Sequence, residues 1–382
     1  MTVAHGIQHF YVAGLAVIYP FVVADLHVSY AVLGLVLTVA GVSGGLLQGA
    51  AGMLRRARAR SVLGAQNAGL AASAVLGALA PGFGAFAGAR VLGALVSWPQ
   101  HPVGSAYLSD RFPDRRGTVL SWHSAGGSIG TVTVPLIATA VIAAAGWRWA
   151  LVVLTGALAL GALLVRVALP PEPLQAVDAD PGIERVKLRE LLRRPGVAVV
   201  LAAATIAAGG RGLGTLSTYV PADLHSHLDL PALTVGAVFT AMMAASVVGP
   251  VVAGSVADRV GRRRTLVVTY FAAAGALCAF GFTGRRLAVL FPIAIVVGVL
   301  AYAESPLLQA VFSDLVGPGA ARSAFGAFFA IAYGVGALWS AVLGWIITAA
   351  GFPAAFCTMA ASFVVAGICI VVGLSAPGHQ QR

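Results

Sequence analysis

Charge is what this 382-residue chain has least of: 10% of its residues are Asp, Glu, Lys or Arg, against 59% hydrophobic, and its mean hydropathy is +0.91. A soluble domain of this size needs far more polar surface. Lysine is nearly missing, with Lys187 the single example. Cysteine is limited to Cys278, Cys357 and Cys369, without Cys-x-x-Cys spacing, so a zinc ribbon or disulfide framework is excluded. All three fall in apolar stretches and read as small buried hydrophobes. No Gly-x-x-x-x-Gly-Lys-Ser/Thr loop is present, so nucleotide hydrolysis within the chain is not expected. No nucleophile–base pair and no metal set recurs, so the sequence reads as neither an enzyme nor a cofactor protein.

What remains is long apolar runs. Twelve stretches fill the chain: 4–23, 31–53, 61–79, 85–107, 118–144 and 150–169, then 197–220, 233–255, 265–282, 287–311, 323–349 and 353–374. About 20 apolar residues cross the hydrocarbon core as a helix. Backbone left unpaired in lipid is too costly for other spanning forms, and barrel strands show ten-residue alternation instead. The expected class is an all-α membrane protein of twelve transmembrane helices. The first span lacks a basic leader and runs straight into the second, unlike a cleaved signal peptide.

The net charge of +11 raises nucleic-acid binding, and position argues against it. Of the 24 basic residues, 19 fall in alternate loops, the central connection or the tail, in clusters such as Arg55–Arg60, Arg111–Arg116 and Arg259–Arg264. The opposite loops hold Arg148, Arg285 and Arg286, and two arginines lie within spans. Basic residues stay on the cytoplasmic side. Both termini are therefore expected there, in the inner or plasma membrane.

The second six spans repeat the first. AGLAVIYPFVVADLH (13–27) aligns with RGLGTLSTYVPADLH (211–225), and Pro102, Ser109 and Asp110 match Pro306, Ser313 and Asp314. The halves are 1–169 and 197–382, joined by the polar connection 170–196, whose 184–194 stretch reads as a short interfacial amphipathic helix. Related halves imply a site near the midplane between them. Prolines and glycines at 97–102, 209–214 and 305–306 predict helix breaks there.

The loop GSVADRVGRRRTL (254–266) resembles the Gly-x-x-x-Asp-Arg-x-Gly-Arg-Arg signature of the major facilitator superfamily (MFS). With twelve spans and a long central loop, the resemblance covers the whole chain. HGIQHFYVAGLAVIYPF (5–21) and RSAFGAFFAIAYGVGAL (322–338) are more weakly similar to its fosmidomycin-resistance branch. The resemblance implies two pseudo-symmetric six-helix bundles and a latch of Asp258, Arg259, Gly261 and Arg262, with Asp258 facing the start of span 5 near Thr118. Arg259 and Arg262 would tie it to carboxylates such as Asp110 or Asp314. There are departures. The matching first-half loop, GMLRRARARSVL (52–63), has Arg56 in place of the aspartate. The antiporter motif is partial in GGSIGTVTVP (126–135), and RVLGALV (90–96) keeps only the arginine of the span-4 motif.

Ionisable groups inside spans mark cavities or partners. Of thirteen acids, Asp25, Asp223 and Asp229 are placed outside the membrane, nine sit at or beyond the basic ends, and Glu304 alone lies well within a span. Glu304 is the candidate proton carrier; the alternative is a structural pair or packing group. Arg211, amid GGRGLG, suits bidentate capture of an anion; coupling or structural pairing with an acid remains open. At about 1.5 Å per residue, Arg211 stands roughly 10 Å farther from the basic face than Glu304, so an ion pair demands distortion. Arg90 either snorkels to the interface or takes part in proton transfer. His5 and His9 share a helix face, and Trp98, His101 and Ser105 share another. His9, Trp98, His101, Tyr302 and Tyr333 join Arg211 as candidate substrate contacts, and His123 joins Glu304 and Arg90 as a candidate for proton coupling. No acid or thiol accompanies His5 and His9 in sequence, which speaks against a metal. The expectation is a monomeric secondary transporter of a small organic, anionic or amphiphilic solute. Proton coupling is expected, with export ahead of an uptake symporter or facilitator, and a non-transporting receptor is the remote alternative.

Overall fold

The computed structural model describes residues 1–50, 59–170, 188–317 and 321–374. Residues 51–58 of the first-half loop, 171–187 of the connection and the 375–382 tail lie outside these. The twelve helices are α1 (Thr2–Asp25), α2 (Tyr30–Ala50), α3 (Ala59–Ala78), α4 (Phe83–Ser97 and Gln100–Arg111), α5 (Arg116–Ala145) and α6 (Trp147–Ala168). There follow α7 (Val197–Ala207, then Gly212–Leu216, Ser217–Ala222 and Asp223–His227), α8 (Ala232–Val260), α9 (Arg262–Phe280) and α10 (Leu287–Val316). The last pair begins as Ala321–Phe329, Ala330–Gly334 and Val335–Ala337 and continues into Leu338–Gly373, where Gly351 (φ 82°, ψ 176°) separates α11 from α12. No strand occurs among the described residues. Among the described residues, eight helices, or helices merged across their breaks, are long and apolar enough to cross a bilayer, including Thr2–Asp25, Val197–His227 and Leu287–Val316. The chain is a multi-pass membrane protein. Of the predicted 184–194 amphipathic helix, Leu188–Arg193 is helical with Leu191 buried, and 184–187 lie outside the described residues.

Small residues let the helices meet, because packing rather than hydrophobicity holds them together in lipid. Where α1 crosses α5, a methyl group on Gly6 would stand 2.7 Å from the Gly126 carbonyl oxygen, and one on Gly127 would stand 2.9 Å from the His5 ring. This crossing seats the α1 histidines directly against α5.

Contacts between the two sets of six concentrate away from the basic loops. Phe21 stacks on His225 with centroids 4.0 Å apart, and the Tyr30 hydroxyl meets Ser226 Oγ at 2.7 Å. The Tyr219 hydroxyl donates to the Ser340 carbonyl at 2.6 Å. Thr38 Oγ1 ties α2 to α11, donating to the Ala337 carbonyl at 2.9 Å and accepting from the Ala341 amide at 3.1 Å. On the basic face, residues 111–118 and 258–262 are exposed.

Two predicted breaks occur, at 98–99 in α4 and 208–211 in α7. The third does not: α10 runs unbroken through Pro306. The apolar sequence of α11 instead contains an unpredicted wide turn over Ala330–Gly334. The cysteines are half-buried rather than buried, and the Cys278 and Cys357 sulfurs stand 4.0 Å apart.

Candidate functional site

Glycine brackets the break in α7, and Arg211 sits in it with extended backbone (φ −62°, ψ 133°). Its side chain turns back along the helix, and Nη2 donates to the Ala204 carbonyl at 2.5 Å, seven residues earlier. That reversal recovers roughly the 10 Å that a regular helix would have imposed, and the guanidinium reaches Glu304. Nε lies 3.3 Å from Glu304 Oε2, and Nη2 lies 3.5 Å from Oε1. Both side chains are buried, at 5% and 0% exposure. Nη1 donates to the Ala332 carbonyl at 3.0 Å, in the wide turn of α11, and the guanidinium carbon lies 4.8 Å from the Tyr333 ring centre. The Tyr270 hydroxyl donates to Glu304 Oε1 at 3.1 Å. Buried charges need this degree of mutual satisfaction, since an unpaired one is strongly disfavoured. Tyr270 carried no sequence signal; it is a buried aromatic in an apolar helix.

The same break exposes polar backbone to neighbours. Thr215 Oγ1 stands 2.9 Å from the Ala208 carbonyl and 2.8 Å from that of Gly209. Gly212 lies flat on Tyr302, where a methyl group would approach the ring to 2.5 Å. The Tyr302 hydroxyl meets Ser217 Oγ at 2.7 Å, and the Tyr333 hydroxyl meets Ser305 Oγ at 2.8 Å. Arg211, Glu304, Tyr302 and Tyr333 thus form one cluster in the second half.

A second cluster lies in the first half. His5 stacks on His123 with centroids 4.0 Å apart, and His101 stands 5.1 Å from His5 and 5.6 Å from His9. The α4 break places His101 at the head of Gln100–Arg111, turned toward α1. In sequence, no acid or thiol accompanies His5 and His9, which spoke against a metal. The fold supplies His101, and a ring nitrogen from each of His5, His9 and His101 lies within 4.8 Å of the others. Trp98 is half-buried at the break itself.

Arg90 does not snorkel. It is half-buried, and Nε donates to the Tyr19 hydroxyl at 2.6 Å. Asp223, placed outside on sequence, is buried at 3% exposure, because α7 continues to His227 and its Oδ1 meets His227 Nδ1 at 2.8 Å. The latch residues are apart from α5 in this conformation. Asp258 and Arg259 are exposed, and Asp258 makes no hydrogen bond or ion pair among the described residues. Arg262 pairs with Asp314, and Gly261 turns the chain with φ 98°.

Twelve helices, with a buried ion pair joining the broken α7 to α10 inside the second set of six, define a polytopic membrane protein. The model of the Major Facilitator Superfamily matches residues 1–340 and again 202–382. The chain belongs to the major facilitator superfamily. It is a transporter rather than an enzyme, and its cargo is a small molecule. Among solved structures it is similar to the nucleoside transporter NupG (13% identity, 97% of each chain, TM-score 0.81). It is also similar to a bacterial homologue of the human lysosomal transporter Spinster in an inward-facing, occupied conformation (17% identity, 97% of this chain and 93% of the other, TM-score 0.73). A D-xylose–proton symporter matches at 16% identity over 98% and 97% of the chains, with TM-score 0.75. At these identities the likeness is one of fold. No curated protein sequence matches significantly.

Proposed function

We propose that the chain carries a small organic monoanion together with a proton, by alternating access between the halves 1–169 and 197–382 joined by 170–196. The observation that carries this reading is the buried pair that Arg211, in the broken segment of α7, makes with Glu304 of α10. Empty, the site holds one positive and one negative charge. If Glu304 takes a proton, Arg211 needs another anion, and a solute carboxylate or phosphonate meets its planar fork. The empty site and the site loaded with anion and proton are both neutral overall. A site holding only the proton, or only the solute, carries a net buried charge and is penalised. Proton and anion therefore travel together. This favours symport over the export by proton exchange that the motif resemblance implied, since exchange requires the two ligands to displace each other.

Contacts between halves on the far side, with an exposed basic face, support an inward-open conformer in a cell membrane with both termini cytoplasmic. The unmade Asp258 latch fits the same reading, as it would close when the cavity faces outward. The carrier works as a monomer; protons and solute are its partners, and nucleic acid is not. Tyr302, Tyr333 and Trp98 would line the solute path, with Arg90 outside it as a support for Tyr19.

The test is uptake into proteoliposomes across a panel of organic anions preselected by thermal shift on the wild type and on Arg211→Ala. Accumulation should follow an imposed pH gradient, with solute entering from the acidic side. Glu304→Gln should retain solute exchange and lose gradient-driven accumulation. Accumulation driven against the proton flow would refute symport; pH-independent counterflow in the wild type would identify a facilitator.

A further inference from the structure

The histidine cluster of α1, α4 and α5 lies outside the ion-pair site, and its hydrogen bonding is unusual in one respect. His5 Nδ1 lies 2.7 Å from the His123 carbonyl oxygen. A carbonyl only accepts, so Nδ1 carries the proton and Nε2 presents a lone pair. That Nε2 is buried and has no partner, on a side chain 4% exposed. His9 reaches the same state by a different route. Its Nδ1 lies 3.1 Å from Thr131 Oγ1, and the Thr131 hydroxyl spends its one proton on the Gly127 carbonyl at 3.0 Å. His9 Nδ1 must therefore donate, leaving its Nε2 lone pair free. His101 is exposed and makes no hydrogen bond among the described residues.

We infer that His5, His9 and His101 form a binding site for a divalent d-block cation of the zinc, cobalt or nickel type. Imidazole suits these ions, and three neutral imidazoles leave a fourth position open for water or an anion. Each inner histidine already has the outer partner that metal-bound histidines use, a backbone carbonyl for His5 and a threonine oxygen for His9. Zn–N bonds of about 2.0–2.1 Å in tetrahedral geometry set the nitrogens about 3.3 Å apart. The present separations are no more than 4.8 Å, so loading draws the three rings together, the exposed His101 ring having the most room to turn. His123 is a support: its ring lies face to face with His5, at 16° between planes, and does not converge on the same point. An ion held here ties α1 to the lower segment of α4. This site belongs to the other half and is read without any solute, so it stands apart from the anion reading.

The experiment uses the full chain, freed of any histidine tag and stripped with chelator, in detergent micelles. Titration with Co²⁺ alone is followed by visible absorption, and Zn²⁺ is then added in competition. Wild type should bind one Co²⁺ per chain with the strong absorption of a tetrahedral nitrogen site, bleached by Zn²⁺. His9→Gln and His101→Gln should abolish the band. Thr131→Val, which removes only the outer partner, should weaken binding about 10–100-fold. His225→Gln, outside the cluster, should leave the titration unchanged. The inference is overturned if wild type shows no saturable band, or if binding survives in His101→Gln. His101 is exposed, so that variant is expected to fold and the test does not depend on the buried substitutions.

Discussion

Glu304→Gln keeps the size of the side chain and removes the charge that answers Arg211. Breaking a buried pair from one side costs about 3–5 kcal/mol. The lower end applies here, because the guanidinium retains the carbonyls of Ala204 and Ala332 and the face of Tyr333. A loss of about 3 kcal/mol corresponds to roughly a 150-fold shift in the folding equilibrium. Arg211→Gln should cost a similar amount, since it strands Glu304 with the Tyr270 hydroxyl as its remaining partner. The double variant has no buried charge to strand, so its cost should fall short of the sum of the two by about 2–4 kcal/mol. Equilibrium unfolding in mixed micelles with increasing dodecyl sulfate, followed by tryptophan fluorescence, measures all four proteins of the cycle. Additive losses, or single variants within about 0.5 kcal/mol of wild type, would show that the two groups do not neutralise each other, and the case for symport from charge balance would go with them.

A methyl group on Gly236 would run into the Thr139 hydroxyl and stand 3.0 Å from the Pro135 carbonyl oxygen. Gly236→Leu should therefore force α5 and α8 apart, read as faster labelling of a cysteine placed at Ala232; unchanged labelling would contradict the closed far side. Gly212→Val should collide with the Tyr302 ring and reduce transport more than tenfold at equal expression, with the solute-binding thermal shift as the check. Asp258→Asn leaves the present conformer untouched and removes a helix-terminal interaction of about 0.3–1 kcal/mol from the outward one, so counterflow should slow about two- to five-fold; equal rates would discard the latch. Tyr19→Phe removes the hydrogen bond to Arg90 and should lower stability by about 1.5–3 kcal/mol, measured in the same unfolding assay.

Much of this protein can be read from the order of its residues. Twelve apolar runs, arginines confined to alternate loops and the recurrence of 13–27 at 211–225 specify the class and the pairing of halves, because lipid allows few alternatives to the helix. Singling out Arg211 and Glu304 needed only the cost of charge in a bilayer. Their contact was less accessible, since counting residues along ideal helices separated them. The burial of Asp223 was hidden for a related reason: the end of an apolar run does not say how far the helix continues or what packs around it.

Sequence alone determined the solvent of this chain, the helical form of its spans and the scarcity of charge within them, all of which follow from local composition against a fixed bilayer thickness. Only the tertiary structure decided which polar atoms meet. The aligned positions Ala13 and Arg211 occupy an unbroken α1 and a broken α7, so a repeat in sequence became an asymmetry in chemistry. The break turns the arginine back onto Glu304, and the opening in α4 brings His101 to His5 and His9. Such meetings depend on where a helix fails, and failure is settled by the neighbours that accept the freed backbone groups, here Thr215 and the carbonyl-seeking guanidinium, rather than by the local residues alone.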